Sequence, residues 1–204
     1  MEIKRVGILG AGVMGAQIAA HLTNAKIPVY AFDMSQEVAE KGVEAAVKIK
    51  PAAFYNPKNA EMITPLNYDD HLDKLKECDW IIEVIAEKVE WKHGLYKRIT
   101  PYVNPNVIIT SNTSGLAAST LVEGMDDSLK KRFFITHFFN PPRYMKLVEI
   151  ITHAETDQSL IKPMSDFLEN VLGKGVVYAK DTPNFVANRI GVFGMMATLE
   201  EAYK

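Results

Sequence analysis

The 204-residue chain has one cysteine, Cys78, so no disulfide can form within it. Its 23 basic and 25 acidic residues nearly cancel, leaving a formal net charge of -2, which gives no reason to expect nucleic acid as a partner. It lacks any apolar run of the roughly 18–20 residues needed to span a bilayer, so no membrane partner is expected. The opening residues, MEIKRVGILG, run straight into a strand pattern and lack the layout of a signal peptide. The cytoplasm is therefore the expected location. His21, His71, His93 and His153 make no pair with His, Cys or acid at metal-ligand spacing, and no metal site is expected. Cys78 has no neighbouring base and reads as a small core residue. What remains is globular composition, 48% hydrophobic and 24% charged.

Short apolar runs alternate with helical patterns. Residues 4–9, 28–32, 80–85, 107–110, 132–138, 146–151 and 175–179 read as strands, with a brief further one near 62–66. Residues 14–25, 36–50, 89–103, 157–172 and 184–204 read as helices. This alternation predicts an α/β fold, a Rossmann-type doubly wound, mostly parallel sheet with helices on both faces. Trp80, Trp91, Phe133 and Phe134 are expected in the core. The last helix carries Ile190, Val192, Phe193, Met195 and Met196, more apolar surface than one solvated face needs, so it is expected to pack on something. Domain limits are placed at 1–183 for a nucleotide-binding domain and 184–204 for a helix leading out of it.

Gly10-Ala11-Gly12-Val13-Met14-Gly15 fits G-x-G-x-x-G. Alone the pattern is weak, but it falls between the first strand and the first helix, where phosphate binding requires it. Gly10 permits the tight turn, Gly12 the close approach of a pyrophosphate, and Gly15 the packing of helix on strand. Asp33, at the end of the second strand, is placed to accept from ribose hydroxyls and to repel a 2′-phosphate, favouring NAD over NADP. The competing reading is a glycine turn in another α/β fold with Asp33 as a helix cap. A second group, Glu87, Ser111, Asn112, Ser114, His137 and Asn140, falls at the expected carboxyl ends of strands, where such sheets bind ligands. Glu149 lies in the strand after His137, and if the two strands pair, the side chains can meet. That pair reads equally as a structural ion pair or as a base with its orienting acid.

At this point the sequence resembles the 3-hydroxyacyl-CoA dehydrogenase family. GILGAGVMGAQIA, IIEVIAE, SNTSGL, THFFNPP, MKLVEI and KDTPNFVANRI occur in the family's order. THFFNPP followed by MKLVEI is much more specific than the glycine motif. The resemblance implies His137 as catalytic base, Glu149 as its paired acid, Ser114 as the serine bonding the substrate oxygen and Asn188 as an asparagine holding the substrate. It implies that Glu87, Lys92, Asn112 and Asn140 line the nicotinamide half of the NAD site. The implied reaction is reversible oxidation of an L-3-hydroxyacyl-CoA in fatty acid β-oxidation.

Two departures stand out. The family's long helical hairpin after the second strand is replaced by the shorter Ala52-Ala53-Phe54-Tyr55-Asn56-Pro57-Lys58, so no CoA-binding lysine carries over. Lys48, Lys50 and Lys58 are candidates for the CoA phosphates, though exposed lysines are usually only solvated. The family's C-terminal helical domain, which completes the substrate cleft and forms a dimer interface, is expected to be missing, with Met195 and Met196 lining the contact to it. The chain is thus expected to derive from a longer enzyme, homodimeric when full length, with a fused enoyl-CoA hydratase as a candidate further domain. Other readings are a β-hydroxyacid dehydrogenase, which would use a lysine, a short-chain 3-hydroxybutyryl-CoA dehydrogenase, and a non-catalytic, crystallin-like NAD-binding protein. Asp33→Ala is expected to weaken NAD binding and relax discrimination against NADP in titrations of both; unchanged affinities would remove Asp33 from the site.

Overall fold

A computed structural model describes residues 2–204. In chain order the elements are β1 (Val6–Leu9), α1 (Val13–Asn24), β2 (Val29–Asp33), α2 (Gln36–Lys48), β3 (Ile63–Asn67), β4 (Trp80–Glu83), α3 (Val89–Ile99), β5 (Ile108–Ser111), α4 (Ala118–Val122), α5 (Asp127–Lys130), β6 (Phe133–Phe138), β7 (Leu147–Ile151), α6 (Ile161–Asn170), β8 (Gly175–Ala179) and α7 (Ala187–Ala202). All eight strands join one sheet in the order β3-β2-β1-β4-β5-β6-β7-β8. The first six run parallel. β7 turns back antiparallel to β6, and β8 runs parallel to β7. The strand order reverses between β1 and β4, which opens a crevice at the carboxyl edge there. The expected α/β doubly wound fold is what forms.

Three local differences have physical causes. The helix expected from 184 starts at Ala187, because Asn184 and Phe185 hold φ of 62° and 49°, left-handed values that a right-handed helix cannot include. The helix expected over 89–103 stops at Ile99 and tightens into a 3-10 turn over Thr100–Tyr102, with Pro101 inside it. The short helices α4 and α5 lie outside the expected elements, since five and four residues are too few to show a helical period.

Helix α1 is buried along most of its length, from Gly15 to Thr23, which its run of alanines and aliphatic residues permits. Two glycines let it and α2 close on the turn after β1. A Cβ on Gly15 would lie 1.8 Å from the Gly10 carbonyl oxygen, and one on Gly42 of α2 would lie 2.0 Å from that of Ala11.

Strand alternation sorts side chains into two cores. Val6, Ile8, Trp80, Ile82, Phe134 and Val148 face one side with α1 and α6. Leu9, Ile81, Ile109, Phe133 and Ile135 face the other with α3. By the same alternation Glu83, Ser111, His137 and Glu149 all project on this second side. On the first side a buried polar chain crosses three strands: Trp80 Nε1 donates to Thr110 at 2.9 Å, and Thr136 donates to Thr110 at 2.8 Å. In contrast, α7 has no buried residue, and its Phe193 is 75% exposed. Among the described residues no helix is long and apolar enough to cross a membrane.

His21 of α1 is buried, and its Nε2 meets the Leu172 carbonyl at 3.1 Å. A carbonyl can only accept, so Nε2 carries the proton, and Nδ1 has no partner. Burial, reinforced by the Lys174 charge, pushes this imidazole from an ordinary 6.5 down to about 4. Between those two values the unfolded chain binds a proton that the folded chain refuses. Stability should therefore fall as the pH drops through this window, by about 3 kcal/mol at most. Urea melts from pH 7 to pH 4 check this; a His21→Gln chain with the same acid slope would rule His21 out as the cause.

Candidate active site

The first part of the site is the crevice at the strand-order reversal. Gly10 leaves β1 with φ of 107° and donates its N–H to Phe32 at 2.8 Å. Nothing lies within 4 Å of where a Gly12 Cβ would sit, so the turn presents bare backbone to open space. No side chain caps the N-terminus of α1, and no acid sits in its first turn. Its unsatisfied N–H groups and positive dipole end suit a pyrophosphate. Asp33 takes an N–H from Ala11 at 2.8 Å and one from Met34 at 2.7 Å, which fixes its carboxylate beside the turn with lone pairs to spare. Gly10, Gly12, Asp33, Met34, Trp91 and Arg98 are among the residues lining a cleft of about 640 Å³. These features fit a dinucleotide.

Trp91 corrects the sequence expectation. It is 56% exposed, lines this cleft rather than the core, and carries the Lys88 ammonium 4.3 Å above its ring. The signal for this was its place in the first turn of α3, just past the β4 edge where ligands bind.

The second part is a buried acid at the end of β4. Glu83 is fully buried. Its Oε1 accepts from Lys92 at 2.6 Å, and its Oε2 accepts from Tyr96 at 2.9 Å and Ser111 at 2.7 Å. Lys92 and Tyr96 are four apart and so share a face of α3. Two residues expected in the crevice therefore sit beneath it. Lys92 has no exposed surface and is engaged in ion pairs, at 2.6 Å to Glu83 and 3.6 Å to Glu87. Ser111 is spent on Glu83 and on the N–H of Thr113. Glu83 falls inside the apolar run expected as a strand over 80–85. A buried acid needs a cation, and that requirement could have led to Lys92.

Glu87 stands above this pair, held by the Ser114 N–H at 2.5 Å, the Ser114 hydroxyl at 3.0 Å and the Thr113 hydroxyl at 2.9 Å. Burial pushes its carboxyl up, but these bonds and Lys92 outweigh it and hold the carboxyl below its ordinary value. Ser114 thus turns its hydroxyl toward Glu87. Asn112 accepts from the Phe138 N–H at 2.8 Å, locking the end of β5 to that of β6. Asn140 accepts from Gln17 of α1 at 3.2 Å.

The third part is the pair His137 and Glu149, directly opposite each other in the β6–β7 register. His137 Nδ1 lies 2.8 Å from Glu149 Oε2. The carboxylate accepts, so Nδ1 carries a proton and Nε2 faces outward with no protein partner among the described residues. The ring packs against Phe139, at 4.3 Å between centroids, and Phe185, at 5.8 Å. The other oxygen of Glu149 accepts from the N–H groups of Val186 at 3.0 Å and Ala187 at 2.8 Å, the start of α7. Asn188 donates to the Ser114 carbonyl at 3.1 Å, tying α7 to the serine loop. Asp181, from the KDTP segment, caps α4 through Ala118 and Ser119. The pair offers an imidazole base whose tautomer the carboxylate fixes.

Residues 5–182 match the family described as 3-hydroxyacyl-CoA dehydrogenase, NAD binding domain. A Deinococcus radiodurans protein named as a probable 3-hydroxyacyl-CoA dehydrogenase is 44% identical across the whole chain, which spans 61% of that protein. A Rickettsia felis protein whose name describes a trifunctional enzyme of a fatty acid oxidation complex is 42% identical over 94% of the chain, which spans 28% of it. The solved structure of (S)-3-hydroxybutyryl-CoA dehydrogenase from Ralstonia eutropha is 32% identical, with a TM-score of 0.78 over 93% of this chain and 68% of that one. The chain thus covers less than two thirds of the length of the Deinococcus and Rickettsia relatives.

Glu149→Gln puts an NH2 donor where an acceptor stood, facing either the α7 amides or the imidazole N–H. Toward α7 the two amides lose their acceptor; toward the imidazole the ring must move its proton to Nε2 to accept; in either case charge-assisted bonds are lost, about 1–3 kcal/mol. Urea unfolding of the chain measures it, and a change within about 0.5 kcal/mol, typical of an inert surface site, would show that the three bonds carry little.

Proposed function

The chain belongs to the 3-hydroxyacyl-CoA dehydrogenase family as its NAD-binding domain, and we propose that it bears the chemical half of an enzyme that reversibly oxidises an L-3-hydroxyacyl-CoA to the 3-oxoacyl-CoA. The observation that carries this reading is the imidazole of His137, with Nδ1 occupied by a buried carboxylate and Nε2 free at the sheet edge.

NAD, when bound, supplies the acceptor for the hydride that leaves C3 of the substrate. The chain's own residues do the rest. His137 Nε2 takes the hydroxyl proton as the carbonyl forms. Glu149 keeps the ring in the tautomer that leaves Nε2 bare and stabilises the imidazolium that results. The amides of Val186 and Ala187 hold the second oxygen of Glu149 and so fix the carboxylate in place. Ser114 would turn its hydroxyl from Glu87 to the substrate oxygen, while its backbone N–H keeps Glu87 in place. Asn188, bonded to the Ser114 carbonyl, keeps the start of α7 against that loop. Gly10, Gly12 and Asp33 would hold the adenosine and pyrophosphate end of NAD. Glu87, Asn112 and Asn140 border the nicotinamide end, with Lys92 as support from below.

The uncovered apolar side chains of α7, such as Ile190, Phe193 and Met196, support a following segment that completes the substrate cleft. The name of the Rickettsia relative supports a fused, multi-activity arrangement for the whole protein. The test is spectrophotometric, with the full-length protein, acetoacetyl-CoA and NADH. His137→Gln is expected to cut turnover by about 10²–10⁴-fold, the usual worth of a positioned base, while leaving NADH binding intact. Undiminished turnover in that variant would refute the assignment; a wild-type protein that binds NADH but never turns over would leave only a binding module.

A further inference from the structure

The strongest feature that this mechanism does not use is a buried lysine without an acid. Helix α6 ends in a turn where Gly173 takes φ of 67° and the Lys174 N–H returns to the Leu168 carbonyl at 2.9 Å. That turn sends the Lys174 side chain inward, and the residue is 6% exposed. Its ammonium donates to the Pro142 carbonyl, in a very short contact, and to the Met145 carbonyl at 3.0 Å. It also lies 5.8 Å from the centre of the Phe138 ring. His21 of α1, held neutral by burial, feels the Lys174 charge and also that of Arg143 from the loop. Among the described residues no carboxylate bonds Lys174, and burial alone pushes the ammonium down to about 8.

Both acceptors belong to the loop that joins His137 to Glu149. Within the loop, the N–H groups of Tyr144 and Met145 both return to the Pro141 carbonyl at 3.0 Å. Lys174 thus grips the turn on both sides, and the next residue, Gly175, begins β8 by bonding the Lys146 carbonyl at 2.8 Å. The upstream end of this loop carries Phe139, which packs on the His137 ring, and Asn140, which meets Gln17 on the glycine-turn helix. An aliphatic side chain could fill the same volume but would leave two carbonyl groups unpaired. A surface role is excluded by burial, and an ion-pair role by the missing acid.

We propose that Lys174 is a positioning residue for the dehydrogenase reaction: by holding the carbonyls of Pro142 and Met145 it fixes the 139–145 loop, and through Phe139 and Asn140 it sets the His137 ring relative to the cofactor crevice. The grip does not depend on charge, since a neutral amine still has two protons for two carbonyls. This proposal rests on the dehydrogenase reading for its kinetic consequence but not for its structural one.

The test compares Lys174→Met with Lys174→Arg, which keeps donors. In the 204-residue chain, NMR follows the His137 imidazole, and NADH affinity is titrated. In the full-length enzyme, kcat and KM for NADH are measured with acetoacetyl-CoA. Lys174→Met is expected to lower kcat at least tenfold, leave NADH affinity within about threefold and move the His137 ring resonances and their pH titration; Lys174→Arg is expected to restore part of each. An unmoved His137 spectrum with kcat within threefold overturns the proposal. So does a kcat loss matched by an equal loss of NADH affinity, since that is general loosening. If Lys174→Met does not fold, the wild-type chain decides: Nζ protons of Lys174 that exchange as fast as those of a surface lysine show there is no grip. If the full-length wild type has no activity, the proposed function fails, yet the His137 spectrum still tests Lys174.

Discussion

A carboxylate with no exposed surface, Glu149, organises the end of this molecule. Leaving such a charge dry and unpaired would cost several kcal/mol. Three donors answer it: the imidazole of His137 and the amides of Val186 and Ala187. Each charge-assisted bond contributes about 1.5–3 kcal/mol, so the three together are the right size to offset the burial. They also impose geometry. The β6–β7 register must set residue 149 opposite residue 137, and the chain must return after β8 so that two amides point at the same oxygen. Asn184 and Phe185 hold left-handed backbone at this return, at about 1–3 kcal/mol each. The carboxylate thus selects an uncommon backbone, a strand register and a histidine tautomer at once.

The buried cluster below the crevice follows the same logic with a different outcome. Glu83 receives a lysine, a tyrosine and a serine, and none of these is left for a ligand. Their product is the placement of Glu87, which Lys92 attracts from beneath while Thr113 and Ser114 hold it from the side. One acid therefore stays inside so that another can stand at the rim. Both lie on the same face of the sheet as the His137–Glu149 pair, so the polar groups form a row across neighbouring strands.

Much of the fold was legible because alternating short apolar runs and helical patterns leave few topologies open. The glycine turn and the facing of residues 137 and 149 could be read from spacing and strand alternation. The internal division of labour could not. Lys92 carries the same sequence signal whether it points at a phosphate or at a buried acid, and only the helix's rotation decides. Trp91 looks like core by residue type, yet its neighbours Lys92 and Leu95 take the inward face of α3. Ser114's preference for Glu87 depends on a backbone turn no pattern encodes. Lys174 sits in a Gly-Lys-Gly stretch that reads as an ordinary surface turn until Gly173 reverses the chain and folds the side chain in.

The attachment of α7 through its first amides has a mechanical consequence. The helix is 16 residues long, a rod of about 24 Å. It is pinned at one end, by Glu149 and by the Asn188–Ser114 bond, and uncovered along its sides. A rod hinged in this way attenuates displacement toward the hinge. A swing of about 3 Å at the tip tilts it by roughly 7° and, at the backbone radius of about 2.3 Å, shifts the pinned amides by only about 0.3 Å. Whatever rides on the far end can move by angstroms while the imidazole and its acid remain in register.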